Sequence, residues 1–265
     1  MEERILAQQG YDVHYYVAGR PDGEPILFLH PAFADHSVFY RQIDFFAERY
    51  RVLTMDMVGH GKSQVGKAGV TIDATSDHIA EILALQSCSS CHLVGVSMGS
   101  LMAQDFAVSY GQKARSVTVV GGYSIFGGSS EIRRAQSREM LKMMLLIIFS
   151  IKLFREYVTS TTVIRPEERA VFRRSAESFT RSSFRVMTGM GGVLRRNEQP
   201  LGCPLLIVAG DHDLEVLRRA AEQWHRKESG SELHVISDAG HCANMDHAEE
   251  FNAILSRFLA KHASA

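Results

Sequence analysis

The chain has 265 residues, of which 45% are hydrophobic and 22% are charged, and this balance is typical of a globular protein rather than a disordered one. Because 29 Lys and Arg nearly cancel 30 Asp and Glu, no global electrostatic attraction to nucleic acid is expected. The same numbers exclude a collagen, a coiled coil and a disulfide-stapled miniprotein, and they fit one α/β domain that carries an insertion.

Strand-like and helix-like segments alternate along the chain, which is the pattern of a parallel sheet covered by helices on both faces. An alternating segment at 13–18 predicts an edge strand. Short apolar runs predict buried strands at 25–29, 51–55, 92–96, 117–120, 205–208 and 233–236. Helical spacing predicts a helix that begins after Thr71 as N-cap and runs to about residue 85, and further helices at 101–110, 214–226 and about 246–261.

Residues 123–199 interrupt this alternation. They contain no convincing buried strand, their pattern is helical in pieces, and a segment of this length is too long for a plain loop. We therefore predict a core domain made of residues 1–122 and 200–265, with a helical cap inserted at 123–199.

Signals for targeting and for redox chemistry are sparse. The N-terminus lacks the basic start and apolar core of a signal peptide, and the most apolar stretch, 140–154, is shorter than the roughly 20 residues of a membrane span. Cys88 and Cys91 form a single Cys-x-x-Cys that precedes a strand, whereas redox motifs of this spacing open a helix and zinc sites need a second pair. We interpret these cysteines as incidental thiols and expect a cytoplasmic protein without a membrane span.

A Gly-x-Ser-x-Gly motif, GVSMG at 95–99, lies where a predicted strand leads into a predicted helix. The pattern alone is weakly specific, but this context holds a serine in a strained turn between two small residues. The hydroxyl of Ser97 would then project above the carboxyl edge of the sheet, beside a helix N-terminus that favours negative charge. The alternative is a tight packing turn with an incidental serine.

A serine nucleophile needs a base, and the base needs an acid that orients it. Two polar turns follow later predicted strands: GDHD at 210–213 and DAGH at 238–241. Both are therefore expected at the same edge of the sheet as Ser97.

With HPAF at 30–33 and DMVGHGKS at 56–63, these motifs give the chain a resemblance to the α/β-hydrolase superfamily over about residues 10–262. The resemblance implies a mostly parallel, twisted sheet with helices on both faces and a helical cap. It implies Ser97 as nucleophile, His241 as base and Asp213, rather than Asp211, as the acid. It also implies an oxyanion hole formed by the backbone N–H groups of Ala32 and Met98.

One position departs from the family pattern. Pro31 stands where the family usually has glycine in its His-Gly-x-x loop. Proline has no N–H and a fixed φ, but the expected donor is the following residue, Ala32, so the oxyanion hole is still predicted.

Other polar residues near these motifs have simpler structural interpretations. Asp56 and His60 are expected to brace their turn, and His30 to fix the oxyanion loop by hydrogen bonding. Asp35 and His36 are interpreted as solvated loop residues. No metal-ligand spacing occurs near His241, and GKS at 61–63 lacks the first glycine of a phosphate loop, so neither a metal nor a cofactor is predicted.

Apolar residues dominate one stretch of the predicted cap: Met140, Met143, Met144, Leu145, Ile147, Ile148 and Phe149. Flexible methionines suit an adaptable apolar pocket. Packing of the cap on the core, or a surface anchor in lipid, are the alternatives. The predicted substrate contacts are Phe33, Tyr123, Met144 and Ile148.

Three functional hypotheses follow. The first is a serine hydrolase that cleaves a small, largely apolar ester or lactone through an acyl-enzyme. The second is a C–C bond hydrolase of diketo acids with the same triad, whose carboxylates would need a pocket arginine such as Arg185 or Arg195. The third is a hydrolase-like ligand receptor or signalling protein with slow turnover. The expected partner is a small-molecule substrate rather than nucleic acid, and a homodimer is compatible with the sequence.

Overall fold

The computed structural model describes residues 1–127 and 130–263; in the helix at 130–149, it describes the side chains of residues 134, 139 and 141–149. Within these residues the strands are β1 (Glu2–Gln8), β2 (Tyr11–Gly19), β3 (Pro25–Leu29), β4 (Arg51–Met55), β5 (Cys91–Val96), β6 (Ala114–Val120), β7 (Leu205–Gly210) and β8 (Glu232–Ile236). The α-helices of the same residues are α1 (Tyr40–Phe46), α2 (Thr75–Leu85), α3 (Met98–Ser109), α4 (Ser130–Phe149), α5 (Ile151–Thr162), α6 (Pro166–Ser175), α7 (Arg181–Val186), α8 (Met190–Val193), α9 (Glu215–Lys227), α10 (Ala243–Asp246) and α11 (Ala248–Lys261).

The described strands form one eight-stranded sheet in the order β1-β2-β4-β3-β5-β6-β7-β8. Strand β2 runs antiparallel to both of its neighbours, and every pair from β4 to β8 is parallel. Every residue of β5 and β7 is buried, as expected for strands whose two faces are both covered by other elements. The predicted α/β fold with a mostly parallel sheet is confirmed.

The predicted edge strand is not at the edge. The segment at 13–18 lies within β2, and the unpredicted strand β1 pairs along its outer side in antiparallel register. Most residues of β1 are exposed or half-buried, so the strand lacks the apolar run that marks the buried strands. Leu6 is its one buried residue and packs in the core.

The start of the second helix also differs from the prediction. Thr71 precedes a short 3₁₀ turn, and its hydroxyl donates to the Asp73 carboxylate instead of capping the helix backbone. Helix α2 begins only at Thr75, whose hydroxyl donates to the Ile72 carbonyl at 2.6 Å. Helix α1 was not predicted, although it contacts β4 and α11 and has three buried residues, Gln42, Ile43 and Phe46.

The described chain between β6 and β7 is helical, from α4 to α8, apart from an isolated bridge between Phe126 and Arg195. Helix α6 contacts the 3₁₀ turn at His36–Phe39, which follows β3, and α4 contacts α9, which follows β7. This segment therefore lies on the carboxyl side of the sheet, where the loops after the strands meet. Among the described helices, none is long and apolar enough to cross a membrane.

Candidate functional site

Ser97 occupies the turn between β5 and α3 with a strained backbone, φ 51° and ψ −114°. Its N–H donates to the Val120 carbonyl of the neighbouring strand at 2.8 Å, which fixes the turn against the sheet. A Cβ at Gly95 would overlap the backbone of Gly99, and a Cβ at Gly99 would overlap the Leu29 carbonyl. The two glycines of the motif are thus required by close backbone approach, and together they hold the serine at the carboxyl edge of the sheet.

His241 and Asp213 form a close pair beside this turn. Nδ1 of His241 lies 3.0 Å from both carboxylate oxygens of Asp213. The carboxylate is almost fully buried and also accepts the N–H of Leu214 at 2.7 Å. With Nδ1–H directed at Asp213, the neutral ring keeps Nε2 as its free acceptor.

The charge of Asp213 determines the protonation of His241. Burial of the imidazole favours its neutral form, but the charge of Asp213 and its hydrogen bond outweigh burial, so the pKa of His241 is raised above its ordinary value. The pair therefore stabilises a protonated imidazole in a place where burial alone would disfavour it.

The turn that carries His241 is attached to the helical segment by a buried carboxylate that sequence reasoning missed. Asp246 accepts the N–H of Gly240 at 2.8 Å with one oxygen and the N–H groups of Ile164 and Arg165 at 3.0 Å with the other. The sequence offered only a weak signal, an acidic residue at the start of a predicted helix five positions after the histidine. Asp246 links the loop before α6 directly to the histidine turn.

The loop after β3 is fixed by hydrogen bonds of His30, as predicted. His30 is fully buried; its Nδ1–H donates to the Pro31 carbonyl at 2.8 Å and its Nε2 accepts the N–H of Met57 at 3.0 Å. Burial lowers the pKa of His30, which keeps the ring neutral, and its two hydrogen bonds select this tautomer. Phe33 has a φ of 70°, so the loop turns sharply just after Ala32.

Two backbone N–H groups are available near Ser97. Met98 is the first residue of α3, so its N–H has no partner within the helix. In the described parts of the chain, the N–H of Ala32 likewise has no hydrogen-bond partner. Both residues line the same cavity as Ser97, which is the arrangement that an oxyanion hole requires.

That cavity has a volume of about 700 Å³ and lies between the sheet edge and the helical segment. Nearly all of the predicted site residues line it: Ala32, Phe33, Ser97, Met98, Tyr123, Met144, Asp213 and His241. Ile148 does not. Its side chain is 60% exposed on the outer surface of α4, because that helix turns only one face toward the cavity. The side chain of Met140 lies outside the described residues.

The lining is mainly apolar, with methionines and leucines from α4, from the segment around α8 and from α9. Within the described lining the charged or titratable groups are Glu139, Asp213 and His241, together with the phenols of Tyr123 and Tyr157. No Lys or Arg belongs to this described lining. The described lining therefore offers a carboxylate substrate no permanently charged cation.

The two arginines considered for substrate carboxylates are used elsewhere. Arg185 donates to the Gly66 carbonyl at 3.1 Å. Arg195 pairs with Asp105 at 2.6 Å and donates to the Gly192 carbonyl at 2.8 Å. Both side chains connect the helical segment to the core.

His36 is not the solvated loop residue that was predicted. Its Nδ1 lies 2.7 Å from Oδ1 of Asp56, and its ring stacks on Tyr16 with centroids 3.6 Å apart. Asp56 also accepts the N–H of Lys62 at 2.9 Å, which confirms its bracing role. Burial raises the pKa of Asp56, but His36 and the Lys62 N–H outweigh it and lower this pKa to about 2.

Asp35, His36 and Asp56 form a group with the spacing of metal ligands in the described chain. Its atoms already have protein partners, since Asp35 accepts the N–H of Ser37 at 2.9 Å and Asp56 accepts from His36 and Lys62. These contacts account for the cluster as a brace between two loops.

Comparison with known proteins identifies the family. Residues 26–254 match the sequence profile of the alpha/beta hydrolase family. The chain belongs to this family. It is thus a hydrolase of the α/β fold, with the sheet and the strand-turn-helix described above.

The individual relatives have low sequence identity to this chain, but they match it over most of its length. The chain is 29% identical over 248 residues to the dihydrolipoyllysine-residue acetyltransferase component of the acetoin cleaving system of Cupriavidus necator; the match covers 89% of this chain but only 63% of that protein's length. It is 28% identical to a 2-hydroxy-6-oxononadienedioate/2-hydroxy-6-oxononatrienedioate hydrolase of Burkholderia vietnamiensis, with 94% of this chain and 91% of that protein covered. A thermophilic esterase from Thermogutta terrifontis has a similar fold, with a TM-score of 0.82, 22% identity, and 99% of this chain and 100% of that chain covered.

Proposed function

We propose that the protein is a serine hydrolase that cleaves a small, largely apolar carboxylic ester or lactone through an acyl-enzyme. The observation that carries the proposal is one cavity lined by a strained Ser97, by the paired His241 and Asp213, and by the residues of two available N–H groups. Asp213 is assigned the role of orienting His241, and the N–H groups of Ala32 and Met98 are assigned to the oxyanion.

The reaction proceeds in two steps, acylation of Ser97 and deacylation by water. Ser97 Oγ bonds to the carbonyl carbon while its proton passes to Nε2 of His241, and the carbonyl oxygen becomes the oxyanion. When the bond to the leaving oxygen breaks, that oxygen takes the proton from His241. A water molecule then transfers a proton to His241 and attacks the acyl carbon, and Ser97 leaves with that proton.

The chemistry of the cavity wall supports the choice of substrate. A volume of about 700 Å³ lined mainly by apolar side chains suits a small acyl group. A carboxylate transferred from water into this wall would lose hydration without gaining a cation in the described lining. Neutral esters and lactones avoid that cost.

The second candidate is hydrolysis of a C–C bond in a diketo acid. The similarity to the Burkholderia vietnamiensis hydrolase over 94% of this chain favours it. The absence of Lys and Arg from the described cavity lining argues against a dicarboxylate substrate. We therefore rank it second.

Labelling and turnover of a Ser97→Ala variant test the proposal. A fluorophosphonate probe should label the wild-type protein and not the variant, and hydrolysis of 4-nitrophenyl butyrate should fall by about 10⁶-fold in kcat, since the nucleophile itself is removed. Ser109→Ala is the matched control, because this serine is exposed at the far end of the same helix; it should retain full labelling and activity.

Three results would contradict the proposal. Labelling that persists in Ser97→Ala would discredit the nucleophile. Turnover of diketo acids without turnover of simple esters would decide for the C–C hydrolase. A kcat far below the usual range of about 1–10³ s⁻¹ for every ester tried would favour a ligand receptor.

Several predictions from the sequence stay predictions: the domain boundaries 1–122, 123–199 and 200–265, a cytoplasmic location and a homodimer. The cap at 123–199 is supported by the position of α4 to α8 on the carboxyl side of the sheet.

A further inference from the structure

One charged side chain in the cavity is not used by the proposed mechanism. Glu139, on α4, lines the cavity together with Ser97 and His241. One of its oxygens, Oε2, accepts the hydroxyl of Tyr157 at 2.6 Å, which ties α4 to α5. Its other oxygen has no hydrogen-bond partner in the described part of the chain, so it is an available acceptor on the cavity wall.

Among the described side chains, Lys142 is a cation close to this carboxylate, but it does not pair with it directly. Lys142 lies one helical turn after Glu139, but its Nζ lies 4.0 Å from the centre of the Tyr157 ring and forms no ion pair with Glu139 within 4.0 Å. Lys142 is also absent from the described lining of the cavity. A hydrogen bond to Tyr157 and the charges of Tyr157 and Glu139 raise the pKa of Lys142, so Lys142 offsets part of the Glu139 charge from outside the described lining but leaves the second Glu139 oxygen without a partner among the described residues.

The described lining of the cavity therefore has more acidic than basic groups. Two carboxylates, those of Glu139 and Asp213, face it, and in the described lining only His241 is able to carry a positive charge. A cleft lined by charges of one sign, with walls of low dielectric, concentrates its field on the ligand. An anionic substrate is disfavoured there and a cationic one is favoured.

We propose that Glu139, held by Tyr157, forms a subsite for a cationic group of the substrate, such as the ammonium group of an aminoalkyl ester. The Tyr157 ring, which already has Lys142 over one face, also lines the cavity beside the carboxylate, and an aromatic ring in this position suits alkylated ammonium groups. Apolar neighbours in the wall, Met143 and Met144, contact the alkyl part of such a group. This proposal rests on the proposed ester hydrolysis, to which it adds a substrate class.

The experiment compares three butyrate esters of similar size: an ester of choline, its uncharged isostere 3,3-dimethylbutyl butyrate, and an ester whose alcohol ends in a carboxylate. In the wild-type protein, kcat/KM for the cationic ester should exceed that for the isostere by about fivefold or more, as expected for one partly solvated ion pair. The anionic ester should be slower than the isostere by a similar factor.

Glu139→Gln should bring the ratio of kcat/KM for the cationic ester to kcat/KM for the neutral isostere close to one. Glu156→Gln is the matched control. It removes the same charge from α5, but Glu156 pairs with Arg173 on the outer surface at 2.9 Å and does not line the cavity. This control should keep the wild-type ratio.

The proposal is overturned if Glu139→Gln keeps the wild-type preference, or if Glu156→Gln removes it equally, since the preference would then come from the overall charge of the protein. Hydrolysis of the neutral isostere reports separately on the proposed function. If the wild type hydrolyses the isostere with no preference among the three esters, the subsite fails alone. If no ester is hydrolysed and Ser97 is not labelled, ester hydrolysis fails and the subsite fails with it.

Discussion

The two sides of the cavity are built by different means. On the side of the sheet, the backbone fixes the site: Ser97 is strained between glycines that tolerate no Cβ, and the His241 ring is held by a buried carboxylate. On the side of α4 and α5, the wall consists of side chains, several of them half exposed, such as Met144 at 43%. From this comparison we expect the chemistry to depend on groups that the backbone holds in place, and selectivity to depend on side chains that can change without disturbing those groups.

The two sides meet at a small aromatic cluster. Phe33, from the loop after β3, contacts Phe154 of α5 and Phe179 edge to face, with ring centroids 5.1 and 5.0 Å apart. All three rings are buried. Together with Asp246, this cluster positions the cavity wall formed by α4 and α5 against the side of the sheet.

The largest expected effect comes from a substitution on the side of the sheet. Asp213→Asn should lower kcat by roughly 10⁴-fold, because the amide neither holds the right tautomer of His241 nor stabilises its charged form. The proposed base, His241, would act only when neutral, so activity should be lost as the pH falls through the pKa of His241. Without Asp213, burial alone acts and lowers that pKa. The acid limb of the kcat/KM profile should therefore move to lower pH.

Asp211→Asn is the matched control for this measurement. Asp211 is two residues away and accepts the Ala239 N–H at 3.2 Å, a bond that asparagine is able to keep. Its pH profile should match the wild type. An equal loss in both variants would show that the turn, rather than the Asp213 charge, controls the rate.

A pair of glycine substitutions tests the difference between the two sides of the cavity by its effect on the free energy of unfolding. Gly99→Ala should destabilise the protein by at least about 3 kcal/mol, because the new Cβ overlaps the Leu29 carbonyl of β3. Gly191→Ala, in α8, has nothing within 4 Å of its new Cβ, and it should be neutral or stabilise by up to about 1 kcal/mol. Urea unfolding of both variants measures the difference. Equal effects would contradict the contrast between the two walls.

The smallest expected effect comes from a substitution on the side of α4 and α5. Met144→Ala removes a half-exposed side chain from the wall, so the lost burial is about 1 kcal/mol at most. KM for a hexanoate ester should rise by no more than about fivefold, with kcat unchanged. Ile148→Ala, on the outer surface of the same helix, should leave both constants unchanged. A large fall in kcat for Met144→Ala would place this residue among the groups that act on the reacting atoms.

The elements predicted well are strands that have apolar surroundings on both faces. Strands β3, β5 and β7 are buried on both faces, so their apolar runs reveal them. Strand β1 and helix α1 were missed because each contributes few buried residues and depends on its neighbours for stability. Ile148 was misplaced for a related reason: an apolar stretch does not show which face of a helix a cavity will use.

By itself, the sequence determined the alternation of strands and helices, the turn of Ser97 and the order in which the acid and the histidine follow it. These features are local, because glycine spacing and apolar runs act over a few residues. Only the tertiary structure decided that Asp246 links two distant loops, that Arg185 and Arg195 serve the core, and that Glu139 faces the cavity. Those outcomes depend on which side chains meet across long separations in the chain, and the packing of the helical segment on the sheet determines that.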